Sequence, residues 1–271
     1  MPELPEVETV RQSLKLKVVG RIIKDVNVYY DEIIEYPSVS EFVDKIKNQR
    51  INDIDRYGKW LMFVLDDYYL LSHLRMEGKY FIKGSYDNLN KHEHVVFKLD
   101  DNTELRYMDV RKFGKMHLID KDKINSIGPL VKLGLEPWDK NLSVDYLKEK
   151  YNKKKLPIKT VLLDQSIIVG IGNIYADEIL YLSRINPLKK ANELDEDELF
   201  KIINNTKLEL ESAIKKGGTT IRSYSSVDGV HGLFQQELNV HTKSKCPNCN
   251  SNIIKIKIGG RGTYYCDKCQ K

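Results

Sequence analysis

Four cysteines constrain this chain more than any other feature. They sit at Cys246-x2-Cys249, sixteen residues, then Cys266-x2-Cys269. Two such knuckles about 15 to 20 residues apart form a zinc-ribbon spacing, and four thiolates suit one closed tetrahedral Zn2+. Between them, "IIKIKI" alternates as a strand does, and "GGRGTYY" supplies a turn and a second strand. A β-hairpin with one knuckle at each end is therefore expected. Two disulfides are the competing use of four cysteines. The chain opens without the basic and then apolar run of a secretory signal, so a reducing cytoplasm is expected and disulfides are disfavoured. A module this small builds little core, so the metal should supply most of its folding free energy. His241 is a possible substitute ligand, but four cysteines already fill the shell and it reads as a loop histidine.

Charge follows the cysteines. From residue 239 to the end there are seven Lys or Arg against one acid, Asp267, a net +6. The first 238 residues therefore sum to −1, because the whole chain carries +5. A basic, cysteine-bearing tail on a near-neutral body points to a polyanion partner. Arg261, between glycines in the hairpin, can present a guanidinium to phosphate. No run approaches the roughly 18 apolar residues of a membrane span. At 271 residues, one or two domains are expected.

In the middle, "DQSIIVGIGNIYADEILYLSRINP" places Gly170 and Gly172 before a helix. Asn173 is a candidate N-cap, and Pro187 marks the end. A glycine loop leading into a helix N-terminus is a generic phosphate cradle. The GxGxxG of a dinucleotide site is incomplete. A helix over about 196–215 is followed by "KKGGTTIRSYSSVDGVHGLFQQELNV", whose paired glycines and hydroxyl residues predict a long binding loop or lid.

The front half, from about 21 to 121, reads as strands: "RIIKDVNVYY", "WLMFVLDDYYLLSHL" and "HVVFKLDDNTELRYMDV" alternate or run apolar between Asp/Asn turns. An antiparallel sandwich is expected. Lys59 falls where a turn meets a strand, Met76 at a loop, and Arg111 and Phe113 in "DVRKFG". The ordinary reading of Met76 and Phe113 is core packing. Their place beside glycine and charge at strand ends is also where an apolar wedge for unstacking bases would be mounted. Before the strands stands "MPELPEVETV". Pro5 suits a first helical turn, Glu6 and Glu8 suit the positive end of a helix dipole, and Val7, Val10, Leu14 and Val18 recur at helical spacing. Pro2 and Glu3 precede that helix and are left over.

Together these stretches resemble the formamidopyrimidine-DNA glycosylase family over essentially the whole chain. "MPELPEVE" is similar to its N-terminal signature, "GIGNIYADEIL" to its helix–two-turn–helix motif, and "GGTTIRSY…GLFQQELNV" and "C-x2-C…GGRGTYYC-x2-C" to its lesion loop and zinc finger. The resemblance implies that removal of Met1 frees the Pro2 nitrogen. That nitrogen attacks C1′ of a damaged nucleotide, expels the base as an iminium forms, and cuts the strand by β- and δ-elimination. It implies Glu3 as proton shuttle, with Lys59 and Arg261 joining Pro2 and Glu3 in the catalytic set. Lys59, Asn173 and Arg261 then hold phosphates around the flipped nucleotide. Met76, Arg111 and Phe113 fill the void left by the extruded base, and His73 and His92 add DNA contacts. Glu6, Gly217, Gly218, Thr219, Thr220, Ile221, Arg222 and Tyr224 form the lesion pocket and its loop. One departure is Leu135 in "LGLEP", where the pattern usually has proline; it is expected to matter little.

The implied fold is α+β: an N-terminal helix with an antiparallel β-sandwich over 1–128, a helical helix–two-turn–helix domain over 129–238, and a zinc-finger hairpin over 239–271. The implied cofactor is one structural Zn2+ on Cys246, Cys249, Cys266 and Cys269. The implied partner is double-stranded DNA carrying oxidised purines, met by a monomer in the cytoplasm with the nucleoid. Two alternatives differ in their demands. An endonuclease VIII-like enzyme for oxidised pyrimidines usually has glycine where this chain has Leu4. A non-catalytic zinc-ribbon nucleic-acid-binding protein has no need of Pro2 and Glu3.

Overall fold

The structure, a computed structural model, describes residues 1–219 and 232–271. The described chain divides into two compact units. The first is Met1–Val131 with the described residues of Gly217–Gly232, and the second is Lys132–Lys216 with Leu233–Lys271. The expected partition set residues 239–271 apart; here the hairpin belongs to the same unit as the helices.

The first unit opens with helix α1, Leu4–Val18, which buries Val7, Val10, Leu14 and Val18 as their spacing requires. Then follow strand β1 (Ile23–Val28), strand β2 (Ile34–Tyr36), helix α2 (Val39–Ile46), and strands β3 (Asp53–Tyr57), β4 (Trp60–Val64), β5 (Tyr68–His73), β6 (Lys79–Gly84), β7 (Glu93–Leu99), β8 (Thr103–Met108) and β9 (Lys115–Asp120). One sheet runs β1-β7-β8-β6 and the other β2-β9-β5-β4-β3. Their inner faces share a core that includes Val26, Phe97 and Leu105 from one sheet and Ile54, Phe63, Leu70 and Leu118 from the other, together with α1. Two details depart from the antiparallel sandwich read from sequence. The β2–β9 edge pair is parallel, and α2 interrupts the strands. That helix has its own local code: Ser38 Oγ accepts the Glu41 N–H at 3.3 Å, and Phe42 and Ile46 are buried four residues apart.

The second unit holds helices α3 (Val144–Tyr151), α4 (Ile158–Leu162), α5 (Asn173–Leu182) and α6 (Glu196–Lys215), then strands β10 (Ile254–Ile258) and β11 (Arg261–Tyr265). Asp195 caps α6 in a reciprocal box with Glu198. The hairpin turn is Gly259-Gly260, both at positive φ (54° and 79°), which places Arg261 at the first residue of β11. The Leu135 N–H donates to Ile167 O at 3.0 Å, a bond that a proline there could not make.

Candidate functional site

In the first unit, the chain start and the 217–219 segment meet at one carboxylate. Pro2 is buried, and Glu3, 3% exposed, is the N-cap of α1. The Glu3 N–H donates to Glu6 Oε2 at 2.8 Å. The other oxygen, Glu6 Oε1, accepts the Thr219 N–H at 2.7 Å and the Thr219 hydroxyl at 3.2 Å. Gly217 and Gly218 reach this point with φ of 73° and 79°, and a Cβ built on Gly218 would sit 2.6 Å from Glu6 Oε1. Glycine is required there for both reasons. Glu6, expected both as a helix-dipole acid and as a lesion-pocket residue, is 2% exposed and ties positions 213 residues apart.

Glu8 is a second buried acid in the same turn. It holds Arg11 at 2.7 Å and Arg56 at 3.1 Å. Burial pushes its carboxyl up, but hydrogen bonds from Arg11 and Gln12 and the charges of Arg11 and Arg56 bring it below the usual carboxylate range. Arg56 also donates to Gly58 O at 3.0 Å, so α1 steadies the β3–β4 turn that carries Lys59. Lys59 is 6% exposed. Across the adjoining pair β4–β5, Trp60 lies opposite His73, ring edge to ring face at 4.8 Å. Burial, then the charges of Arg75 and Lys59, lower the His73 imidazole to about 3. Its Nδ1 accepts the Arg75 N–H at 2.9 Å. Where a DNA contact was expected at His73, the ring is buried and neutral at physiological pH, so it offers no cation to a phosphate.

Met76 is half-buried and Arg111 exposed, and Phe113 is 49% exposed. The core reading of Phe113 therefore fails. The Arg111 guanidinium lies over the Phe113 ring at 4.8 Å. His92, partly exposed, accepts the Asp109 N–H on its carbonyl at 3.0 Å.

In the second unit, Asn173 is the first residue of α5 and Gly172 is the N-cap, one position earlier than the sequence reading. Asn173 Nδ2 donates to Gly262 O at 2.9 Å, next to Arg261, while its buried Oδ1 has no hydrogen-bond partner among the described residues. Its carbonyl accepts Lys159 Nζ at 2.7 Å. Lys159, wholly buried, pairs with Asp177 Oδ1 at 2.6 Å, and Asp177 Oδ2 meets His241 Nδ1 at 2.6 Å. Glu178, also buried, accepts the backbone N–H groups of Asn239, Val240 and His241 at 2.6–3.0 Å. The two early-turn acids of α5 are thus interior anchors for the segment leading to the hairpin, and His241 is a buried partner of Asp177, not a loop histidine. Arg261 itself is exposed.

The sulfurs of Cys246, Cys249, Cys266 and Cys269 lie within 4.8 Å of one another, with Cys246–Cys269 at 3.7 Å and Cys249–Cys266 at 3.5 Å. A tetrahedron of thiolates about 2.3 Å from Zn2+ has edges of roughly 3.8 Å. The set fits one structural zinc. The Tyr181 hydroxyl, 3.4 Å from Cys246 Sγ, and Asn248 Nδ2, donating to Cys269 Sγ at 3.3 Å, surround the ligands.

Three family models account for most of the chain. They are the formamidopyrimidine-DNA glycosylase N-terminal domain over residues 1–116, the formamidopyrimidine-DNA glycosylase H2TH domain over 133–225, and a zinc finger found in FPG and IleRS over 243–271. The chain belongs to the formamidopyrimidine-DNA glycosylase family. Among its relatives, the formamidopyrimidine-DNA glycosylase of Exiguobacterium sibiricum is 48% identical, covering 100% of this chain and 99% of that one. That of Oceanobacillus iheyensis is 47% identical, covering 100% and 98%. The wild-type Lactococcus lactis Fpg, solved with DNA containing a benzylated Fapy-dG, superposes with a TM-score of 0.93 at 39% identity over 100% of both chains. The Lactococcus lactis Fpg bound to abasic-site DNA gives the same TM-score over 99% of each.

Of the residues expected to form the lesion pocket, Glu6, Gly217, Gly218 and Thr219 stand together in the structure, whereas Thr220, Ile221, Arg222 and Tyr224 lie outside the described residues. Sequence reasoning passed over Asp109 and Lys159 and read Glu8 as a dipole acid and His241 as a loop histidine; all four are buried polar groups. Their only sequence signal was a charged or titratable side chain among apolar neighbours. No helix among the described residues is long and apolar enough to cross a membrane.

Proposed function

We propose that this protein is a bifunctional DNA repair glycosylase that excises oxidised purines, 8-oxoguanine and formamidopyrimidines, from duplex DNA and then cleaves the strand. The observation that carries the reading is the buried cluster Pro2–Glu3–Glu6–Thr219. Supporting it, the Glu6 carboxylate joins the Glu3 N–H to Thr219 beside the buried Pro2, whose nitrogen becomes an amine once Met1 is removed.

With Met1 removed, Pro2 presents a secondary amine, and an α-amino group titrates near neutrality, so a useful fraction is nucleophilic. Its nitrogen bonds to C1′ as the base leaves with the electron pair of the glycosidic bond. Loss of the nitrogen proton and cleavage of C1′–O4′, with a proton going to O4′, open the sugar and give an iminium; this acidifies the C2′ proton, whose loss expels the 3′ phosphate, and δ-elimination expels the 5′ phosphate. Glu3, buried next to the nitrogen, shuttles the proton that opens the sugar. Lys59 in the first unit, and Asn173 and Arg261 in the second, take backbone phosphates. Met76, Arg111 and Phe113 occupy the space of the extruded base, whose removal from the stack costs a few kcal/mol. His92 adds a DNA contact at the base of that turn. The protein acts as a monomer on chromosomal DNA in the cytoplasm.

Borohydride trapping tests the reading. While Met1 remains, the Pro2 nitrogen is an amide with a delocalised lone pair. A preparation shown by mass spectrometry to begin at Pro2 should form a reducible covalent complex with 8-oxoguanine DNA. One retaining Met1 throughout should form none. Equal trapping by both would assign the nucleophile to another amine, with Lys59 the first to examine.

A further inference from the structure

Two turns of the first unit carry the residues assigned above to the vacated base position, and both contain strained backbone. Arg75, before Met76, has φ of 52°, and Lys112, between Arg111 and Phe113, has φ of 57°. Left-handed backbone at a non-glycine residue costs about 1 kcal/mol or more and persists only where surroundings enforce it. At Arg75 the enforcing group is His73 Nδ1, which takes its N–H. At Lys112 it is Asp109.

Asp109 is fully buried and nearly all of its hydrogen bonding is spent on one turn. Oδ1 accepts the Arg111 N–H at 3.0 Å, and Oδ2 accepts the N–H groups of Phe113 at 2.9 Å and Gly114 at 2.8 Å. Its carbonyl accepts the Lys112 N–H at 3.3 Å and His94 Nε2 at 2.8 Å. The Tyr107 hydroxyl donates to Oδ2 at 3.4 Å. Burial, and then the Asp109 charge, push the Tyr107 hydroxyl well above its ordinary range, so it remains a donor.

Tyr107 is itself fully buried, and its hydroxyl sits between the two turns. A Cβ on Gly114 would meet it at 1.7 Å, and one on Gly78, which closes the Met76 turn through a bond to Leu74 O, would meet it at 2.3 Å. Only glycine at both positions lets the hydroxyl stand there.

We propose that Tyr107 and Asp109 are positioning residues for base extrusion: the Tyr107 hydroxyl sets the spacing of the Met76 turn from the Arg111–Phe113 turn, and the Asp109 carboxylate fixes the backbone that presents Arg111 and Phe113. This rests on the wedge reading of those three side chains. A wedge transmits unstacking force only if its mount is stiffer than the base stack it displaces. Four hydrogen bonds to one buried carboxylate and a hydroxyl packed between two glycines provide such a mount.

The test uses the full zinc-loaded chain and two DNA substrates. One is a duplex with 8-oxoguanine opposite cytosine, which requires extrusion. The other is a single-stranded oligonucleotide with an abasic site, which does not. The readout is the ratio of single-turnover rates, duplex over single strand. Asp109→Asn keeps one acceptor oxygen and turns the other toward the N–H donors as an amide, so the ratio should fall about tenfold, the scale of one lost buried hydrogen bond. Tyr107→Phe, which keeps the ring against Tyr80 (5.2 Å between centroids), should lower it in the same direction and carries the test alone if Asp109→Asn does not fold. Because Asp109 acts through Phe113, Asp109→Asn combined with Phe113→Ala should lower the ratio no further than Phe113→Ala alone. An unchanged ratio in both Asp109→Asn and Tyr107→Phe, with a fall in Phe113→Ala, would overturn the positioning role and leave the wedge standing. An unchanged ratio in Met76→Ala, Arg111→Ala and Phe113→Ala would remove the wedge and this inference with it.

Discussion

Glu6→Gln is the substitution that most directly probes the site. It removes one charge and exchanges one oxygen for an NH2, leaving volume and shape nearly unchanged. In the native structure Oε2 serves the Glu3 N–H, and Oε1 serves the Thr219 N–H and hydroxyl. Gln has one acceptor oxygen, so one of these backbone donors must face an amide NH2. If the oxygen stays on Thr219, the Glu3 N–H loses this acceptor at the N-cap beside Pro2. If it stays on Glu3, the Thr219 N–H loses it, and only the Thr219 hydroxyl can reverse its role and accept. Depriving a buried donor of its acceptor costs about 1–3 kcal/mol. The site is 2% exposed, so water offers little relief. Urea unfolding should show a loss in that range. If the misplaced group is Glu3 or Thr219 itself, single-turnover base excision should slow by about 5- to 150-fold. Excision should suffer more than strand cleavage at a pre-formed abasic site, because Thr219 adjoins the residues assigned to the damaged base. Unfolding free energy within about 0.5 kcal/mol of the parent, with excision unchanged, would refute the claim that this carboxylate holds the site together.

Three further outcomes are expected. Burial, and then the Glu178 and Glu237 carboxylates, raise the Glu209 carboxyl to about 8 from 4.5; the folded state then keeps a proton that the unfolded state releases, and stability declines as pH rises from 4.5 through 8 by about 1.4 kcal/mol per unit. Glu209→Gln should therefore flatten the urea-midpoint profile across that window and raise the midpoint at pH 8 but not at pH 4.5; parallel profiles would contradict it. Lys159→Met leaves the buried Asp177 carboxylate without its ammonium partner and should cost about 3–5 kcal/mol of unfolding free energy, most of it recovered by adding Asp177→Asn; no recovery would mean that packing, not charge, held the pair. Purified protein should contain one zinc per chain by elemental analysis, and chelation should abolish DNA binding as the hairpin loses its main source of folding energy; DNA-binding protein with less than half an equivalent would sink the structural-zinc assignment.

What the amino-acid order determined by itself is local. The 3.6-residue recurrence of Val7, Val10, Leu14 and Val18 and the capped run 196–215 specify their helices because each turn's neighbours lie within four residues. The CxxC spacing specifies a four-thiolate site because a hairpin of that length brings its ends together. Pro2 and Glu3 drew attention because they precede the helical pattern, and the family resemblance gave them a chemical reading; the structure adds that Glu3 caps α1. Only the tertiary structure decided the rest. Glu6 and Thr219 are separated by 213 positions, and no periodicity relates them. Asp177 and His241 lie 64 apart, and His241 looked like a loop histidine, since a buried hydrogen-bonded pair has the same local composition as two solvated polar side chains. Phe113 looked like core and is 49% exposed, because the hydrogen bonds of Asp109 to its turn hold that ring outward against the ordinary preference of an aromatic side chain for the interior. Local sequence encodes which residues recur on a face; which buried carboxylate receives which distant N–H is settled only when each unit packs its separate segments together.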